Sequence, residues 1–197
     1  MNSLLIVALQ CLAAALVCAA PIHLPHDADF EYTVEKAQSL VEKLIRGIPS
    51  VQQDLTLDPS SETGNLQLMV KTLGIPPAPT FKALSEHFTL EVCLHRMSLG
   101  LQLHHSLLGA LSPVSSSAMT HLLTDIRDLQ ALVHKMQDQS QLSVTSESEK
   151  PGFILSISGS YDAQVATHLV LLQLRTFSHD LVRSLRNIHT SLPESQG

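Results

Sequence analysis

The sequence predicts an all-α protein: a long-chain four-helix bundle of up-up-down-down topology with two long crossover connections. Two observations carry this. Apolar residues recur at alternating steps of three and four through separate stretches, the spacing that aligns one face of an α-helix. The connections between these stretches run long, short, long. A short connection leaves only antiparallel neighbours, whereas a long one can cross the bundle and return the chain in the same direction. A strictly up-down-up-down bundle needs short connections throughout.

Residues 4–20 come first, an almost unbroken run of Leu, Ile, Val, Ala and Cys in which Gln10 is the polar interruption. Small residues, Val17 to Ala20, close it before Pro21. This pattern reads as a secretory signal peptide over residues 1–19, cleaved after Ala19, with residues 20–197 as the four-helix-bundle domain. The run is shorter than the ~20 residues a membrane span prefers and has no basic stop-transfer flank, so membrane insertion of the mature chain is not expected.

The first helix carries Phe30, Val34, Ala37, Val41, Leu44 and Ile48 on one stripe, with Glu31, Glu35, Glu42 and Arg46 opposite. Asp27 or Asp29 is a candidate cap. Pro49 is expected to end the helix, because it lacks an N–H and clashes with the preceding turn. Residues 49–79 form the first long connection, in which residues 66–73 pack as a short helix and Pro76, Pro77 and Pro79 stiffen the exit. The second helix is placed at residues 80–111 with Thr80 as N-cap. Its face is broad: Leu90, Leu94, Met97, Leu101, Leu108 and Leu111, widened by Val92, Leu99, Leu103 and Leu107. Gly100 and Gly109 each cost up to about 1 kcal/mol in a helix, which close approach of a neighbour would explain.

A short break at residues 112–115 leads to the third helix, residues 117–139, striped by Met119, Leu122, Ile126, Leu129, Val133 and Met136. The second long connection, residues 141–160, is rich in Ser and Glu and ends in the apolar run Phe153, Ile154, Leu155, Ile157, which reads as loop docked on the core. The fourth helix, residues 161–190, presents Val170, Leu174, Phe177, Leu181, Leu185 and Ile188.

Charge and cysteine content narrow the function. With 12 Lys and Arg against 18 Asp and Glu, the net charge is −6, which offers no electrostatic footprint for nucleic acid. Cys11 and Cys18 lie in the leader, so Cys93 stands alone in the mature chain and no intrachain disulfide forms. A lone helical cysteine reads as buried and inert rather than as a nucleophile. The 11 histidines show no His-x-x-x-His spacing and no Cys-x-x-Cys accompanies them, so neither metal nor cofactor is expected, and they read as solvated or partly buried. There is no nucleophile elbow, phosphate loop or dinucleotide fingerprint. The chain does not read as an enzyme.

Local motifs add a resemblance. Leu73-Gly74-Ile75-Pro76-Pro77-Ala78-Pro79, Cys93-Leu94, Leu107-Leu108-Gly109-Ala110-Leu111, Thr167-His168-Leu169 and Arg183-Ser184-Leu185-Arg186 resemble segments of the interleukin-six and granulocyte colony-stimulating factor family. The resemblance is dense over residues 73–111. It departs in the cysteines: the granulocyte branch carries two disulfides, whereas Ala83 stands where a partner of Cys93 would be.

That resemblance implies a secreted haematopoietic cytokine that clusters a class I cytokine receptor to drive granulocyte-lineage proliferation, differentiation and survival. In the family, acids on the first and third helices contact receptor. Thr124-Asp125-Ile126-Arg127-Asp128-Leu129 carries both aspartates of the third-helix motif, and Glu42 matches the first-helix glutamate. Glu42, Asp125 and Asp128 are therefore the candidate receptor-binding residues. A further family contact on the first long connection falls at Asn65 and does not transfer. The alternatives are an interleukin-six-like inflammatory cytokine and, from another class, a secreted helical carrier of lipid or haem.

Overall fold

A computed structural model describes residues 28–55, 66–85, 88–111, 116–142 and 152–192. The leader and the Asp27 cap lie outside them. The described chain forms five helices: α1 (Ala28–Gln53), α2 (Leu66–Thr72), α3 (Leu90–Ala110), α4 (Ser117–Gln139) and α5 (Ser160–Ser191). No strand is present among the described residues; an isolated bridge joins Ser85 and Phe88.

The apolar stripes meet in one core. Phe30, Val34, Ala37, Val41, Leu44 and Ile48 of α1 are fully buried, and so, to within a few per cent, are the stripes read for α4 and α5. Helix α1 packs against α4 and α5, and α3 packs against the same two helices. Cross-helix neighbours give the directions. On α1 and α4, Lys43 meets Asp125 while Gly47 faces Leu122, so residue numbers rise on one helix as they fall on the other. His189 of α5 lies by Glu31 and Glu35, whereas Arg186 lies by Glu42. On α3 and α5, Cys93 interacts with Ser184 and Gly100 meets Phe177. Each packed pair runs in opposite senses, so α1 and α3 point the same way across the diagonal.

Two boundaries differ from the sequence reading. Pro49 does not end the first helix, which continues to Gln53 with the proline inside it. Losing one ladder hydrogen bond and crowding the Ile45 carbonyl costs about 3 kcal/mol. Burying Val51 and Leu55 (2% and 8% exposed) just beyond it offsets that loss at about 1.5–3 kcal/mol per side chain. The second helix starts at Leu90 rather than at Thr80. Its cap is Thr89, whose hydroxyl accepts the Val92 N–H at 3.4 Å. Residues 75–84 before it are non-helical, consistent with Pro76, Pro77 and Pro79 disfavouring helical geometry. Helix α4 starts as read, with Ser116 accepting the Met119 N–H at 3.1 Å.

The two long connections touch each other. The Ser156 N–H donates to the Leu73 carbonyl at 3.1 Å, and Gln173 of α5 donates to the Pro76 carbonyl at 2.9 Å. Between them, Gly74 has φ +73°, and a Cβ there would stand 2.4 Å from the Ile154 carbonyl oxygen. Only glycine meets both conditions. Phe153, Leu155 and Ile157 pack on the core without forming a strand, as read, while Ile154 faces outward at 88% exposure.

Candidate functional site

Helix α1 carries its charges on two flanks. At 100° per residue, Lys36, Lys43 and Gly47 fall on the flank facing α4, while Glu31, Glu35 and Glu42 fall on the flank facing α5. The neighbours are complementary. Asp125 and Asp128 of α4 face the basic flank, and Arg186 and His189 of α5 face the acidic one.

The α1/α4 seam opens as two adjoining surface grooves. One, of about 500 Å³, is lined by Lys36, Ser39, Leu40, Lys43, Asp128, Ala131 and Leu132. The other, of about 420 Å³, runs past Lys43, Arg46, Gly47, His121 and Asp125. Lys43 borders both. Its ammonium donates to Asp125 at 2.6 Å, a short charge-assisted hydrogen bond.

The candidate residues differ in their surroundings. Asp128 is exposed beside the larger groove. Asp125 is 7% exposed and committed to Lys43, because it sits at the edge of the Leu122–Ile126–Leu129 stripe rather than clear of it. Glu42 is exposed but lies on the opposite flank of α1, with its carboxylate 3.8 Å from the Arg186 guanidinium. The structure thus brings Asp125 and Asp128 to one seam and leaves Glu42 on another. Sequence reading missed Lys36 and Lys43, the basic half of the α1/α4 seam. Their seven-residue spacing on the flank of a stripe was the available signal.

Two other polar groups lie in the core. Burial pushes the Cys93 thiol up from 9.0 to about 12, with the Ser184 hydroxyl opposing, which suits an inert thiol rather than a nucleophile. His104 corrects the expectation that the histidines are solvated or only partly buried. It is fully buried against Phe177 (centroids 5.0 Å apart), its Nδ1 donating to the Gly100 carbonyl at 2.7 Å. Burial lowers its pKa from 6.5 to about 4, the Gly100 hydrogen bond opposing. Neither group opens onto the α1/α4 grooves.

No helix of the described residues is long and apolar enough to cross a membrane. No protein-family model matches the chain. Compared with known proteins, it is 26% identical over 192 residues to myelomonocytic growth factor of Gallus gallus, a match covering 90% of this chain and 95% of that protein. A likeness running nearly end to end over an all-helical chain supports a growth-factor or cytokine role, a class that carries no enzymatic activity.

Proposed function

We propose that the chain is a secreted haematopoietic cytokine whose α1/α4 seam engages a class I receptor, similar to that for granulocyte colony-stimulating factor, on granulocyte-lineage cells. One observation carries the choice of seam. Asp128 is an exposed acid at the rim of a groove that also holds Leu40 and Leu132, so a receptor arginine or lysine can pair at the rim while apolar side chains fill the floor. Asp125 takes a second role here. It orients Lys43 between the two grooves and is a receptor contact only if Lys43 is displaced. Glu42 contributes from the α1/α5 flank, as a separate contact. Signalling needs no reaction: a rigid bundle with separate faces brings receptor chains together.

The test is binding to the receptor ectodomain by surface plasmon resonance, alongside thermal melting. Asp128→Ala is expected to weaken binding about tenfold or more, equal to about 1.4 kcal/mol, with melting unchanged. Lys43→Ala and Asp125→Asn both break the same ion pair. Because the lysine is largely exposed, each costs at most about 1 kcal/mol of stability. If Asp125→Asn weakens binding and Lys43→Ala does not, the carboxylate itself meets receptor. If Asp128→Ala binds and stimulates cells like the parent, the seam assignment fails.

A further inference from the structure

We propose that Glu31, Glu35 and His189 form a zinc site that ties the start of α1 to the last turn of α5. Glu31 and Glu35 are one helical turn apart on the same flank of α1. His189 reaches them from the antiparallel α5, with Nε2 3.5 Å from one Glu31 oxygen and 3.7 Å from one Glu35 oxygen. One donor atom from each residue lies within 4.8 Å of the others.

These separations are too long for N–H···O hydrogen bonds, which close at about 2.7–3.2 Å. They come within about 0.1 Å of the edge length of a coordination tetrahedron instead. Zinc bonds of about 2.0–2.2 Å to imidazole and carboxylate place neighbouring donors roughly 3.3–3.6 Å apart. Without an ion, two carboxylates one turn apart repel. A divalent cation neutralises both. The donor set selects the metal: calcium and magnesium prefer all-oxygen shells, whereas one imidazole with two carboxylates suits zinc. The glutamate side chains are 47% and 60% exposed, so they are free to close the last edge, and the fourth position faces solvent.

His189 is distant in sequence from both glutamates, so no local motif announces the site; antiparallel packing of α1 on α5 creates it. It lies on the α1/α5 flank, away from Asp125 and Asp128, and does not rest on the receptor reading.

Calorimetric titration of the chain lacking residues 1–19 with zinc chloride tests this, using the parent, His189→Asn, Glu35→Gln and His168→Asn. His168 lies about 30 Å along α5 from His189 and serves as the control. The expected result is one saturable site per chain with micromolar affinity, weakened at least tenfold by His189→Asn and by Glu35→Gln and unchanged by His168→Asn. Zinc should also raise the parent's melting midpoint over that in chelator, by about 3 °C, and the rise should vanish in Glu35→Gln. Absence of saturable binding, or binding that either of the first two substitutions leaves intact, overturns the site.

Discussion

At the scale of single residues, His104 makes a pH dependence measurable. Its folded pKa is about 4 and its ordinary value 6.5, so the unfolded chain binds more protons between those limits. Stability from this group is fully present above about pH 6.5 and is lost as pH falls toward 4, about 3 kcal/mol over the whole window. Replacing it with glutamine keeps a polar side chain beside Gly100 and removes the titration. His104→Gln should therefore flatten the fall in urea midpoint between pH 6.5 and 4. Parallel curves for parent and variant would show that other groups carry the acid sensitivity. The spacing places His104 on the Met97–Leu101–Leu108–Leu111 stripe and adjacent His105 about 100° off it. The Phe177 ring that His104 packs against is brought in by α5 and is not legible locally. Asp125 is a similar case. Its spacing from Ile126 and Leu129 placed it beside the stripe, but its partner Lys43 is 82 residues away.

At the scale of elements, the helices of the core were legible because each carries a long stripe of one period, and the stripes are buried. The widened face read for α3 is too broad, since Leu99 is exposed and Val92 only partly buried. Ends were less legible. Thr80 and Thr89 are equally good caps on chemistry, and the chain uses the one beyond the prolines. The two glycines of α3 were read alike, yet their surroundings separate them. A Cβ on Gly100 would meet the Phe177 ring at 2.2 Å, whereas one on Gly109 meets nothing within 4 Å. The ring is held between Phe81 (centroids 5.5 Å) and His104, so it has little room to move away. Gly100→Ala should lose about 1–3 kcal/mol to overpacking despite the gain in helix propensity. Gly109→Ala should gain up to about 1 kcal/mol. Chemical denaturation of both variants checks the pair, and equal shifts would mean that α3 and α5 are not in close contact at Gly100.

At the scale of the whole molecule, the arrangement of helices follows from which flank of α1 pairs with which neighbour. Its basic flank meets the acids of α4, and its acidic flank meets the bases of α5. Swapping α4 and α5 around α1 would set Lys36 and Lys43 against Arg186 and the glutamates against Asp125 and Asp128. Charge thus discriminates between two bundles that bury similar stripes, a role better suited to exposed ion pairs than stability. The same contacts make a distance prediction. Glu31 and Glu35 sit level with His189, and Cys93 sits level with Ser184, so the starts of α1 and α3 lie at one end of the bundle. Diagonal helices in such a bundle are about 14 Å apart, given neighbour spacings of 8–10 Å. Spin labels at Tyr32 and Glu91, both exposed, should therefore give a short separation, about 15–25 Å once label linkers are included. Labels at Tyr32 and Ala110 add most of the length of α3, a rise of roughly 28 Å at 1.5 Å per residue. That pair should lie beyond about 30 Å. Double electron–electron resonance measures both distances in one protein background. If the Ala110 pair is the shorter, α1 and α3 run in opposite senses, and the long first connection does not return the chain in its original direction.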